Sequence, residues 1–208
     1  MPGLGIALLA LYGLLALGVR SAAQLRRTGS TGFRGVRTGA GAVEWLAGSA
    51  FVTATVLCLA GSALQLEGAL KPIGPLAGAG ADVLGALCAT AGIALTVAAQ
   101  FAMGDAWRVG VDPDEHTELV TGGPFAIVRN PIYAAMIPAF AGIALLAPNP
   151  VTIAGAILLA LALELQTRLI EEPYLLTSHG QRYASYAGQV GRFLPRIGRL
   201  RVQPERRL

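Results

Sequence analysis

The chain has 208 residues, of which 54% are hydrophobic and only 13% charged, and its mean hydropathy is +0.58. Such values exclude an ordinary soluble globular domain, in which about a quarter of the residues are charged. The net charge of +4 sits on arginines beside apolar stretches, which points to anionic lipid headgroups and away from nucleic acid.

Apolar stretches that approach or exceed the length needed to cross a bilayer, about 20 helical residues, occupy Leu4–Val19, Val43–Leu66, Leu76–Met103, Ile132–Ala147 and Val151–Leu169. They predict an all-α polytopic membrane bundle of about five transmembrane helices. The first stretch is short, but Met1-Pro2-Gly3 places no basic leader ahead of it, so it reads as a retained helix and not as a signal peptide. Gly48, Gly61, Gly85 and Gly92 in the second and third stretches suit close helix contact, since lipid supplies no hydrophobic drive between helices. Cys58 and Cys88 lie within the same two stretches with no Cys or His at metal-ligand spacing, so they read as packing residues and no metal is expected. The segments 28–41 and 203–208 are the expected low-order regions.

Fifteen of the sixteen basic residues fall on one side of a five-span chain. Five follow the first span, Arg108 and Arg129 follow the third, eight run from Arg168 to Arg207, and Lys71 alone lies on the other side. Because cytoplasmic loops are enriched in Lys and Arg, the N-terminus is expected outside and the C-terminal tail in the cytoplasm. The chain divides at the end of the third span into membrane helices, 1–103, and a region carrying the polar chemistry, 104–208.

That region holds two polar blocks. In the first, Gly122-Gly123-Pro124 forces a turn and Asn130-Pro131 opens the fourth helix. Asn is a favoured N-cap and Pro a favoured first residue, so unpaired backbone N–H groups should face outward at the membrane surface, where they would suit an anion. An ordinary loop with a capped re-entry explains the same residues. In the second block Glu164 and Arg168 stand one helical turn apart, and Glu171-Glu172 follow at the same helix end. Two adjacent acids beside a bilayer gain nothing from lipid and are expected to meet a cation. Pro173 is expected to end or turn the helix, with Glu172 capping a second, amphipathic helix that carries Tyr183 and Tyr186 on one face.

The order Leu119-Val120-Thr121-x-Gly123-Pro124-Phe125, Arg129-Asn130-Pro131-x-Tyr133, Arg168-x-x-Glu171-Glu172, Gly180-x-x-Tyr183-x-x-Tyr186 and Pro195 resembles the isoprenylcysteine carboxyl methyltransferase and phospholipid methyltransferase superfamily over the C-terminal part of the chain. The resemblance implies an integral membrane methyltransferase that binds S-adenosylmethionine with its cytosolic loops and helix ends and reaches a lipophilic acceptor through the membrane. It places Thr117, Glu118, Leu119, Val120, Phe125, Asn130, Pro131, Ile132 and Tyr133 around the cofactor, with Glu171 contacting it from the second block and Arg168 towards the acceptor. Two positions depart from the pattern. The family commonly has His where this chain has Thr117, with His116 one place early, and it often has His in place of Asn130.

The chemistry of the residues agrees with that implication. The α-carboxylate of S-adenosylmethionine suits the Asn130-Pro131 helix start, its cationic groups suit Glu171 or Glu172, and Phe125 or Tyr133 offers an aromatic face. Methyl transfer is an in-line displacement that asks for alignment and exclusion of water, with no metal or covalent intermediate. In this scheme Arg168 holds an anionic acceptor and Glu172 or His116 removes a proton from a neutral one, a thiol or an amine. Two other readings are open: an NADPH-dependent membrane sterol or enone reductase, which shares the Gly-Pro-aromatic and Arg-x-Pro-x-Tyr region, and a non-catalytic scaffold or small transporter.

Overall fold

The computed structural model describes residues 1–32, 41–110 and 118–200. The expected low-order segments therefore fall largely outside the described residues, as do His116 and Thr117.

The described chain is built from helices: α1 (Pro2–Thr28), α2 (Ala42–Leu66), α3 (Ala79–Ala102), α4 (Pro131–Leu146), α5 (Pro150–Gln166) and α6 (Glu172–Gln189). Two of them contain π-helical turns, Leu14–Val19 within α1 and Thr167–Glu171 between α5 and α6. Helices α1, α2, α3 and the continuous α5–α6 rod are long and apolar enough to cross a membrane. With its 16 residues, α4 is about 24 Å long, short of a hydrocarbon core of about 30 Å.

The expected spans need three adjustments. The first helix does not stop at Val19 but continues to Thr28, because its polar end finds partners on α3. The third begins at Ala79, since Gly74-Pro75-Leu76 forms a separate 3-10 turn. Pro173 does not break the last helix: the π-helical turn ahead of it accommodates a residue with no N–H, and the backbone leaves helical geometry at Gly180 instead, at φ 50° and ψ −129°.

Helices α4 and α5 form a tight hairpin, with α3 packed along α4, α2 along α5, and α1 lying against α2 and α4. Small residues set these distances. A Cβ added at Gly92 would stand 2.7 Å from Ala135 O and from Ala139 Cβ, and one at Gly142 would stand 2.5 Å from Ala89 N, so α3 and α4 touch backbone to backbone. On the other flank a Cβ at Gly61 would meet Thr152 Oγ1 at 2.4 Å, and Cys58 is buried with its thiol 3.7 Å from Thr152 O. Tyr12 crosses edge-on to Phe140 at 5.7 Å, pinning α1 to the middle of α4.

One end of the bundle is closed by Asn149, which is fully buried. Its Oδ1 accepts from Val151 N and Thr152 N at 3.0 Å each, and its Nδ2 donates to Gly61 O, Gln65 Oε1 and Ala147 O. The opposite end collects the arginines. Arg20 and Arg27 on α1 reach the end of α3, Arg108 reaches Tyr174, and Arg129 and Arg192 meet Glu172. Among the described residues, these arginines thus gather at one end of the bundle as a polar cap.

Candidate functional site

The polar cap is organised around two neighbouring carboxylates with different surroundings. Glu172 is buried and both of its oxygens are occupied. Oε1 accepts from Arg129 Nη2 at 2.5 Å and from Arg192 Nε at 2.9 Å, while Oε2 accepts from Arg192 Nη2 at 2.9 Å. Arg192 also reaches Glu164 at 3.1 Å, and its hydrogen bonds to Glu172 raise its pKa above the ordinary arginine value. Arg129 also donates through Nη1 to the carbonyls of Ala187 and Val190 and through Nη2 to that of Gly198. A charge cluster of this kind repays its desolvation only when its charges are paired, and here both Glu172 oxygens accept from guanidinium groups.

This cluster joins the two polar blocks. Val128 and Gly191 form a parallel bridge, with Arg129 N donating to Gly191 O at 2.8 Å and Asn130 N to Arg192 O at 3.1 Å. The chain then turns back so tightly that a Cβ on Gly191 would lie 2.0 Å from Leu194 O. Tyr183 is buried, and Tyr186 donates its hydroxyl to Phe125 O at 2.6 Å, so the α6 tyrosines lie against the first block, with Pro195 in the returning loop. Phe125 is itself buried, below that hydrogen bond.

Glu171 has the opposite character. Tyr133 donates its hydroxyl to Glu171 Oε1 at 2.5 Å and Gln166 approaches the same oxygen at 3.5 Å, leaving Oε2 with no hydrogen bond among the described residues. The carboxylate stands beside the start of α4, where Asn130 occupies the N-cap position without capping through its side chain and Pro131 is the first residue. Asn130, Pro131, Ile132, Tyr133 and Glu171 therefore come together as one group. Glu118, exposed, and Leu119 and Val120, half-buried, lie in the irregular segment leading to Gly122.

Arg168 points elsewhere. It pairs with Glu164 one turn back and lines a groove of about 440 Å³ between α2 and α5, together with Leu46, Ala50, Leu161, Leu165 and Leu169. The π-helical turn distributes its residues over two faces, setting Glu171 towards α4 and Arg168 towards the apolar groove.

Three participants were not singled out from the sequence. Gln166 carries a weak signal, as a polar residue in the apolar run of α5. Arg129 lies inside the recognised motif but reads there as a flank of the helix start. Arg192 has no signal at all, since its partner lies twenty positions away on another segment.

A helical multi-pass membrane architecture with polar chemistry gathered at one end defines the class: an integral membrane protein whose site is assembled from helix ends. The family model for phospholipid methyltransferase matches residues 81–182, a segment that takes in α3, the first block, the α4–α5 hairpin and the first part of α6. That segment is thus similar to the phospholipid methyltransferase family, which is related to the isoprenylcysteine carboxyl methyltransferases. It is also similar to the nickel-cobalt-cadmium resistance protein NccN of Alcaligenes xylosoxydans xylosoxydans, with 30% identity over 87 residues. That similarity covers 42% of this chain and 40% of the relative. No solved structure matches the chain.

Proposed function

We propose that this protein is an S-adenosylmethionine-dependent membrane methyltransferase acting on a lipophilic acceptor. The observation that carries the reading is the contrast between the paired acids: among the described residues, Glu172 is consumed by two arginines, whereas Glu171 keeps one oxygen unbonded next to a helix start with no side-chain cap. A ligand with a carboxylate and a nearby cationic centre complements both features, the carboxylate at the α4 N-terminus and the cation at Glu171. S-adenosylmethionine has that pattern, and when bound it supplies the electrophilic methyl group. Asn130 to Tyr133 and Glu171 hold and orient the cofactor, with Glu118, Leu119, Val120 and Phe125 from the first block and His116 and Thr117 beside them in sequence.

Arg168 is the acceptor-side residue in this reading. The groove it lines opens between α2 and α5 among leucines, which suits a hydrocarbon chain, and its guanidinium suits an anionic group at the end of that chain. Glu172 acts by holding the first block against α6, because a carboxylate with both oxygens saturated by guanidinium groups is a poor proton acceptor. The polar cap lies in the cytoplasm, following its excess of arginine.

Calorimetric titration of the detergent-purified protein with S-adenosylhomocysteine and, separately, with NADPH tests the reading. Binding of the first alone is expected. Binding of NADPH alone would make the protein a reductase and remove the role given to Glu171.

A further inference from the structure

Arg20 is a cation buried where the bundle meets the polar cap, with 2% of its surface exposed. It meets no carboxylate among the described residues. Its Nε donates to Gln100 O at 3.3 Å, Nη1 to Gln24 Oε1 at 2.8 Å and Nη2 to Gly104 O at 2.6 Å. The guanidinium lies over the rings of Trp107 at 4.5 Å and Phe101 at 5.2 Å, while the neighbouring Asp105 pairs with Arg27. Two of its acceptors belong to the end of α3 and the turn after it, where backbone carbonyls lack helical partners and the helix dipole is negative.

The surrounding polar groups tie the same place together. Gln24 Nε2 donates to Asp105 O at 2.8 Å, and Gln100 Nε2 donates to Ala16 O, inside the π-helical turn of α1, at 3.1 Å. Gly32 also packs closely on Trp107: a Cβ there would stand 2.9 Å from the indole, and Val109 N donates to Gly32 O at 2.8 Å. Arg108, the residue between these two anchored positions, donates to Tyr174 Oη at 3.2 Å with its guanidinium 5.6 Å above the ring. Tyr174 is one helical turn beyond Glu171, and the Arg108 charge is within electrostatic reach of that carboxylate.

We propose that Arg20 is a positioning residue for the cofactor site: it clamps residues 104–110 to the end of α1, so that this strap sets Arg108 against Tyr174 beside Glu171. What Glu171 binds rests on the function proposed above; the clamp itself does not. A guanidinium suits the task because its planar fork spans three acceptors while its faces stack on aromatic rings.

The test uses the full chain in detergent, with Arg20→Met, Arg20→Lys and Arg108→Gln, read by hydrogen exchange and by S-adenosylhomocysteine titration. Arg20→Met is expected to raise exchange at 104–110 and also at 172–176, and to weaken S-adenosylhomocysteine by about tenfold, with Arg20→Lys between it and wild type. Combining Arg20→Met with Arg108→Gln is expected to cost no more affinity than the worse single change, since both act through one strap. Exchange that rises at 104–110 while 172–176 keeps wild-type protection would overturn the proposal, and so would affinity losses that add. Should Arg20→Met fail to fold, Trp107→Leu breaks the same clamp from the ring side and is read by the same criteria. Wild-type protein that binds no S-adenosylhomocysteine would sink the methyltransferase reading, while the exchange measurement would still decide the clamp.

Discussion

The two ends of the α4–α5 hairpin begin with the same dipeptide and use it differently. At Asn149-Pro150 the asparagine side chain is fully buried, caps α5 through two backbone N–H groups and fastens the turn to α2. At Asn130-Pro131 the side chain makes no cap, and the first turn of α4 faces the Glu171 carboxylate and the arginine cap. Identical local chemistry thus closes one end of the hairpin and leaves the other open. What separates them is the partner each end finds: the end of α2 at the closed end, and a polar cluster built from distant segments at the open one.

Four substitutions test this division, beginning with the largest expected effect. Glu172→Gln leaves Arg129 and Arg192 buried with an incomplete partner, and we expect it to cost about 3–5 kcal/mol of stability, read as a lowered thermal midpoint in detergent. A midpoint near wild type would free Glu172 for a chemical role. Asn149→Ala removes the cap on Val151 N and Thr152 N and the donor to Gln65 Oε1, for an expected loss of about 3 kcal/mol with cofactor affinity at wild-type level in the folded fraction. Glu171→Gln is expected to reverse that pattern, with S-adenosylhomocysteine weakened about tenfold and stability changed by less than about 1 kcal/mol. An unaltered affinity would take the carboxylate out of the site. Asn130→Ala is the mildest: with no cap to lose, stability should stay within about 0.5 kcal/mol while affinity falls a few-fold. A stability loss as large as that of Asn149→Ala would show that the two ends are not different after all.

Arg168 sharpens the same contrast from the acceptor side. Arg168→Ala is expected to lower turnover while S-adenosylhomocysteine binding stays intact, because its side chain lines the groove between α2 and α5 and does not face α4. The opposite pattern, affinity lost and turnover per bound cofactor retained, would move Arg168 to the cofactor.

The class of the protein was legible along the chain. Five apolar stretches of near-membrane length, with basic residues on alternate connections, constrain the architecture because an apolar helix must satisfy its own backbone and because charge partitions across a bilayer. The small residues at positions 61, 85 and 92 announced close helix contact, and a Cβ at any of them would clash with the neighbouring helix. The motif order around Gly123-Pro124, Asn130-Pro131 and Glu171-Glu172 pointed to a resemblance, and the matching family model covers those residues. Tertiary structure decided the rest. Which of two adjacent glutamates is saturated depends on Arg129 and Arg192, which come from a loop and a turn that no spacing rule relates. Whether an Asn-Pro start is capped depends on what packs above it, and the burial of Arg20 depends on the last carbonyls of α3 and the ring of Trp107. Periodicity and composition report how each segment meets its solvent, whereas hydrogen bonds between distant segments form only once packing has brought their ends together.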